Sequence, residues 1–470
     1  GDRKGDTFAA TFSASLGIVP QLKALGDMKL LLLTTIAAVL PASAILVFDQ
    51  EANTKTKLLN VLEDENALGT DFWIYNNLEA ARAEAKRTNK PMFVTFRCVP
   101  CVDCKGFDAE VAKNNQRIVK LAQEAFIAVR QVEMKGVDLS QFQFDYDLNW
   151  AAMFLNADGT VYARYGTQSA KGADAYNSIE SLEKTMRLVL ALHKNYPANK
   201  SELSGKLGKP KPYKSALEMP GMKHRNKLAG STTRNNCVHC HNIHDAEHQQ
   251  LQALGPLAHD VLWRYPLPDN IGLHIDPTDG CIVKAVQPES PASKAGLLSG
   301  DVLTHADGQA LTSIADLQWV LHNLPNTRTG VMLKVVRRNH NIDSKLAMPT
   351  NWKRTDISWR GSLWSIKPVL AVWCAPMKEE RINELNLSEG VKPLEVRWIN
   401  TGRPEGRNAK LAGLQQGDII VAIEGKPLQM SSEHFNMYIK LKYEVGDNLP
   451  LTLLRKGRRM NFNWPLTDGG

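Results

Sequence analysis

Two stretches in the second half of the chain are near copies of one another. Ala295-Gly296-Leu297-Leu298-Ser299-Gly300-Asp301-Val302-Leu303 is matched by Ala412-Gly413-Leu414-Gln415-Gln416-Gly417-Asp418-Ile419-Ile420, and each runs into a strand and a tight turn, Asp307-Gly308 or Glu424-Gly425. A segment that recurs with its turn residues intact encodes one supersecondary unit folded twice. The repeats predict two mainly-β domains, at residues 266–350 and 369–466, with a linker at 351–368. A chain of 470 residues exceeds one ordinary core, so the first half has to supply a further domain.

That domain is organised around Phe96-Arg97-Cys98-Val99-Pro100-Cys101-Val102-Asp103-Cys104-Lys105-Gly106-Phe107-Asp108. Three cysteines follow the apolar run Met92–Phe96 directly and precede a helical pattern. A C-x-x-C at a helix N-terminus is a thiol-redox arrangement, because the unpaired N–H groups and dipole of the first turn stabilise a thiolate. Ile74, Leu78, Ala81 and Ala85 mark a helix before the strand, and Ile118, Leu121, Ala122, Ala125 and Phe126 mark one after it. A second strand, 127–132, follows; Asp158-Gly159 between apolar runs signals a hairpin, and a last helix covers 179–192. The order β-α-β, hairpin, helix predicts an α/β domain over 71–197, preceded by a polar connector at 45–70.

Cys98 adds a second, overlapping C-x-x-C and leaves three readings open. Cys101 attacks and Cys104 resolves with Cys98 to spare; or Cys98 and Cys101 exchange disulfides with Cys104; or three thiolates hold a metal or cluster. The plain alternative is a permanent disulfide in an inactive fold.

A Lys- and Pro-rich stretch from Pro197 to Pro212 predicts a linker, and 198–265 as a whole reads as linker plus a small helical or irregular segment. Within it lies Cys237-Val238-His239-Cys240-His241. C-x-x-C-H is the signature of covalent c-type haem, with thioethers from Cys237 and Cys240 and His241 as axial ligand. Met219, Met222, His244, His248 and His259 are candidates for the second axial position. Zinc on Cys237, Cys240 and two histidines is the alternative, and a surface disulfide among solvated histidines the plain one.

Met28-Lys29, the apolar stretch 30–40 and Ala42-Ser43-Ala44 read as a secretory leader at 28–44, with 1–27 as an upstream extension. An uncleaved leader would instead anchor the chain to a membrane. Either way the protein is expected outside the cytoplasm, periplasmic or extracellular, where disulfides persist.

Lys90-Pro91, Cys101 to Asp108 and Phe154-Leu155-Asn156-Ala157-Asp158-Gly159-Thr160-Val161 resemble the thioredoxin-like family, in particular its periplasmic thiol:disulfide branch. The family's aromatic residue before the first cysteine, its cis-proline and its buried acid are replaced by Pro100, Trp150 and Thr95, which puts substrate docking in doubt. The repeated A-G-L-x-x-G-D resembles the PDZ domain in the circularly arranged form of bacterial envelope proteases. That resemblance implies a carboxylate-binding loop and edge strand at Ile271-Gly272-Leu273-His274-Ile275, with Leu317, Val320 and Leu321 on the other wall. For the last three, simple core packing is an equal reading. In the second copy the loop falls near 369–373. Cys281 and Cys374 sit at apolar positions and read as buried thiols. The whole is similar to the thioredoxin/PDZ multidomain proteins of environmental bacteria, a family with selenocysteine-containing members.

The net charge of +8 is spread over the chain without a basic helix or an aromatic-basic motif, which excludes a nucleic-acid reading. No G-x-S-x-G or H-E-x-x-H accompanies the repeats. The expectation is therefore an exported thiol-disulfide oxidoreductase with PDZ modules that hold protein C-termini or extended peptides, a protein dithiol or disulfide as partner, and a c-type haem. The rival is a non-catalytic envelope scaffold with a degenerate thioredoxin fold. In class the chain is multidomain, α/β followed by mainly-β.

Overall fold

The computed structural model describes residues 55–468. The leader at 28–44 and the extension before it lie outside the described residues. Among the described residues no helix is long and apolar enough to cross a membrane.

The first sheet has five strands in the order β1-β3-β2-β4-β5: β1 Ile74–Tyr75, β2 Met92–Arg97, β3 Ile127–Gln131, β4 Trp150–Leu155 and β5 Val161–Tyr165. β3 runs parallel to β1 and β2, and β4 is antiparallel to β2 and β5, with Asp158-Gly159 in the predicted hairpin turn. β2 is buried along its whole length, so its alternating side chains feed two cores. Met92, Val94 and Phe96 join Ala81 and Ala85 of α1 (Leu78–Thr88). Phe93 instead meets Ile118 and Ala122 of α3 (Gln116–Ala125), and Leu182, Met186 and Val189 of α4 (Ile179–Lys194); the short α2 (Lys105–Ala109) follows the cysteines.

Three stretches depart from the sequence reading. The connector 45–70 contains a helix at 55–62, followed by the buried Asp64 and Asn66. In the supposed linker 197–212, Lys206 is fully buried against Asp316, with Nζ 2.6 Å from Oδ2. Third, the C-x-x-C-H segment is no separate module: Met219, Met222, Val238, Cys240, Ile243 and Ala246 belong to the same core as β2. α5 (His241–Leu254) is packed so closely on the 219–222 turn that a Cβ on Gly221 would lie 1.9 Å from the Ala246 carbonyl oxygen. Patterning along the chain shows that a segment is half-apolar, but the partner face lies more than a hundred residues away and leaves no local trace.

The two repeats fold alike. The first has the sheet β11-β10-β8-β9 beside the hairpin β6-β7; these are Leu273–Ile275 (β6), Val283–Val286 (β7), Val302–Ala306 (β8), Gln309–Ala310 (β9), Gly330–Arg337 (β10) and His340–Ala347 (β11), with α6 at Ile314–Asn323. The second has β12 Val372–Pro376, β13 Leu394–Ile399, β14 Ile419–Ile423, β15 Lys426–Pro427, β16 Asn448–Arg455 and β17 Arg458–Pro465, with α7 at Pro404–Leu411 and α8 at Ser432–Lys442. The repeated aspartate has one task in both. Asp301 accepts from the Leu298 N–H at 2.9 Å and from Arg337 at 2.6 and 2.7 Å. Asp418 accepts from the Gln415 N–H at 2.8 Å and from Arg455 at 2.7 Å. Each arginine also donates to the carbonyl of the repeat's first glycine, Gly296 or Gly413.

The first repeat is docked on the α/β domain through α6. Asp316 accepts from the Arg164 N–H at 3.1 Å, Ser313 donates to the Arg164 carbonyl at 2.5 Å, and the Arg164 guanidinium lies 3.5 Å over the Trp319 ring.

Candidate functional site

The C-terminal ends of β2 and β3 carry the chemistry. β2 delivers Arg97 and then Cys98, while the chain after β3 delivers Glu133, whose carboxylate accepts the Val238 N–H at 3.0 Å. The Met134 N–H donates to the Val238 carbonyl at 3.1 Å. These bonds set Cys237-Val238-His239-Cys240 against the cysteine loop, and Cys98 Sγ lies 3.1 Å from His239 Nδ1. The two cysteine clusters, separate in the sequence, are one site.

Beneath it is a buried charge network. Arg130 donates to both oxygens of Asp64 at 2.7 and 2.8 Å and to both oxygens of Asp108 at 2.8 and 2.7 Å. Asp108 also accepts from Asn66 at 2.6 Å and from the Trp150 indole at 3.1 Å. Burial alone would raise the Asp108 carboxyl, but Arg130 prevails and holds it below the usual range. Arg97 is buried above this network, donating to the Cys98 carbonyl, to the Cys101 carbonyl at 2.6 Å and to Cys104 Sγ at 3.0 Å.

The three thiols of the loop are unlike. A hydrogen bond from Cys98 lowers Cys101 to about 7, and the same bond raises Cys98. Burial pushes Cys104 up to about 12. Asn149 covers both, its side-chain oxygen 3.3 Å from Cys101 Sγ and its carbonyl accepting from Cys104 at 3.3 Å. Trp150, at the position expected for the cis-proline, is buried behind them as the first residue of β4. A cavity of about 230 Å³ beside Cys101 is lined by Arg97, Pro100, Asn66, Lys105 and Arg234.

The haem-ligand geometry is not present. Cys237 and Cys240 are buried, Val238 between them is fully buried, and Cys237 donates to the Val132 carbonyl at 3.5 Å. The His241 ring lies parallel to His239 at a centroid distance of 5.6 Å and an interplanar angle of 2°. Met219 and Met222 are core residues, and His244 Nδ1 donates to the Asp147 carboxylate at 3.0 Å. A macrocycle bonded to both sulfurs and to His241 would have to displace this packing, so these residues do not fit haem.

Asp145, Asp147 and His244 bring ligand atoms within 4.8 Å of one another, yet the cation there is Arg360. Its guanidinium donates to Asp145 at 2.7 and 2.8 Å and to Asp147 at 3.1 Å. Next on the helix, His248 is 1% exposed and neither ring nitrogen has a hydrogen-bond partner. Burial lowers it to about 3, whereas the unfolded chain titrates near 6.5. Between those values the unfolded state takes up a proton that the folded state refuses. Stability is therefore full above about pH 6.5 and falls with acidification, by at most about 1.4 kcal/mol per pH unit from this group. Urea midpoints of wild type and His248→Leu at pH 7 and 5 check this: the variant should lose less on acidification. Equal losses would refute it.

Of the predicted peptide-binding residues, Ile271, Leu273, Leu317 and Leu321 are at most 1% exposed, and Ile275 and Val320 are buried in the same core. Tyr176, from the α/β domain, packs into that cluster and donates to Asp269 at 3.2 Å; Asp269 also bonds His274. Gly272, at φ +81°, leads into β6 in a left-handed turn where a Cβ would strike Ser290. Ile271, Leu273, Ile275, Leu317, Val320 and Leu321 form part of the core of the first repeat, whereas the His274 side chain is 42% exposed. Cys281 and Cys374 are buried, as expected.

Arg97, Arg130, Glu133, Asn149 and His239 were not foreseen as site residues. The signal available for three of them was a charged residue inside or at the end of an apolar strand, where an unpaired charge is too costly to occur without a partner.

Residues 73–157 match the thioredoxin-like family, and residues 282–337 match the PDZ domain family. The chain carries a thioredoxin-like domain and a PDZ domain. Among curated proteins it is similar to a DegP-like periplasmic serine endoprotease of Pseudomonas savastanoi pv. phaseolicola, 30% identical over 212 residues, covering 43% of this chain and 40% of that protein. It is also similar to the periplasmic pH-dependent serine endoprotease DegQ of Escherichia coli, 26% identical over 152 residues, covering 32% and 29%. Among solved structures it is similar to the HtrA3 PDZ domain bound to a phage-derived ligand, with 23% identity, 20% and 81% coverage and a TM-score of 0.16. The chain spans 42% and 40% of the length of the first two DegP-like relatives it matches.

These relatives correct the functional expectation. They are named as serine endoproteases, not as thiol-disulfide redox proteins. The exported location expected from the leader agrees with their periplasmic names.

Proposed function

We propose that this is a periplasmic polypeptide-recognition protein of the serine-endoprotease type, which binds extended peptide segments or chain termini along the edge of a second PDZ domain formed by the second repeat. The observation that carries the proposal is β12. Among the described residues it pairs only with β13, leaving one edge unpaired, and α8 packs alongside. An unpaired edge next to a helix accepts an extended chain by backbone hydrogen bonding. Trp373 and Trp398 are direct cross-strand partners and each is 53% exposed, so the edge strand adjoins an aromatic shelf. The Leu370-Ala371 loop before the strand turns at Ala371 with φ +50°.

Fluorescence anisotropy with labelled peptides of apolar C-terminus tests the proposal. Trp373→Ala and Trp398→Ala should each weaken binding about tenfold, which corresponds to about 1.4 kcal/mol. Binding that is absent, or unchanged in both variants, would sink it.

A second reading, endoproteolysis by this chain itself, is favoured by one line of contacts. Ser431 Oγ lies 2.9 Å from His434 Nδ1, and His434 Nε2 lies 2.8 Å from Asp356 Oδ2. The ring is reversed relative to the usual serine triad, in which Nε2 faces the serine. Ser431 also accepts the His434 N–H at 3.3 Å as the N-cap of α8. A fluorophosphonate probe in the same assay separates the readings, since labelling that is lost in Ser431→Ala would select proteolysis.

A further inference from the structure

Residues 406–417 and 452–463 of the second repeat hold six lysines and arginines and no aspartate or glutamate. The fold brings the two segments together at one edge of the sheet. Arg455 Nη2 donates to the Gly413 carbonyl at 2.7 Å, and a Cβ on Gly413 would lie 3.9 Å from the Phe462 ring. On α7, Arg407, Lys410 and Leu411 stand at i, i+3 and i+4 and form one exposed face. Lys456, Arg458 and Arg459, also exposed, lie where β16 turns into β17. Of the six cations Arg455 alone is paired with an acid among the described residues, with Asp418. Beside the other five, Leu411 is 84% exposed, the most of any large apolar side chain among the described residues. We propose that this face is a membrane-surface contact: Arg407, Lys410, Lys456, Arg458 and Arg459 seat on anionic phospholipid headgroups, and Leu411 inserts beneath them.

Cations that no acid offsets add their potentials, and each one held against an anionic bilayer raises affinity about fivefold. Charges that merely keep an edge strand from pairing have no need of an exposed leucine among them. A solvated acidic segment answers the charge alone. A bilayer answers both features, with charged headgroups outside and hydrocarbon below. The periplasm, where the relatives are placed by name, is bounded by such surfaces. In the sheet order β17 is the edge opposite β12, so the contact leaves the polypeptide-binding edge free.

The test floats the full chain with vesicles of phosphatidylcholine alone, or of phosphatidylcholine and phosphatidylglycerol in equal parts, at low and at high salt. Binding is expected to the anionic vesicles only, and it should be lost at high salt as exposed charges are screened. Lys456→Gln, Arg458→Gln and Arg459→Gln combined should weaken it about 100-fold. Leu411→Ser should weaken it about tenfold while the salt dependence is kept. Lys86→Gln, Lys223→Gln and Lys227→Gln combined make the same charge change at other exposed positions and should leave binding unchanged. The lipid and salt comparisons use the wild type alone and stand even if a variant fails to fold. Equal binding to both vesicles, binding to neither, or undiminished binding in the Lys456, Arg458 and Arg459 variant would overturn the contact. So would capture of polyglutamate without binding to anionic vesicles, which would make the partner an acidic polypeptide.

Discussion

Arg130→Ala is expected to lower the unfolding free energy by about 3–5 kcal/mol, because it removes the cation shared by two buried carboxylates and leaves Asp108 with only Arg97, at 3.3 Å. Arg130 is 1% exposed, and Asp64 and Asp108 are 3% and 0% exposed. Arg130→Lys should recover only part, since one ammonium cannot reproduce paired donation to both acids. The loss also has a pH signature. A carboxyl held below its unfolded value contributes stability that is complete above about pH 4 and lost as pH falls through the folded value. Wild type should therefore lose the Asp108 contribution on acidification below about pH 4, and Arg130→Ala should lose less, keeping only what Arg97 and Asn66 supply. Guanidinium denaturation at pH 7 and 3 measures both effects. A deficit under about 1 kcal/mol at pH 7 would mean that the network is not what supports the cysteine loop.

Lys206→Ala is expected to cost about 3 kcal/mol, at the lower end of the range for a broken buried pair. Its partner Asp316 keeps other donors: Thr312 Oγ1 at 2.6 Å, the Thr312 N–H at 3.1 Å and the Arg164 N–H at 3.1 Å. The pair lies where the first repeat docks on the thioredoxin-like domain, so loss should appear first as proteolytic cleavage near 197–214. Lys206→Met combined with Asp316→Asn, which removes both charges, should recover much of the deficit. If the double variant is as unstable as the sum of the singles, the ion pair is not the reason for the burial.

How far the sequence reaches is clearest at particular residues. The repeated aspartates were legible, because each acts on backbone three residues before it and on an arginine in the same small unit. The hairpin at Asp158-Gly159 was legible for the same reason: a tight turn is decided by the two residues that form it. The burial of Leu317 and Leu321 was not, because at helical spacing they look the same whether they line a groove or fill a core. Tyr176, which joins the same core, arrives from another domain.

The sequence by itself determined the strands, helices, turns and duplicated unit, since these rest on periodicity and on contacts between near neighbours. It also marked the cysteines as chemically special. Only the tertiary structure decided that the two cysteine clusters are one site, that a lysine in an apparent linker is buried, and that Arg360 fills an apparent metal cluster. Each of these depends on groups 100 or more residues apart that meet through the packing of separate faces. Burial makes such contacts strong by removing water, and nothing in the local pattern of either partner encodes which face the other will present.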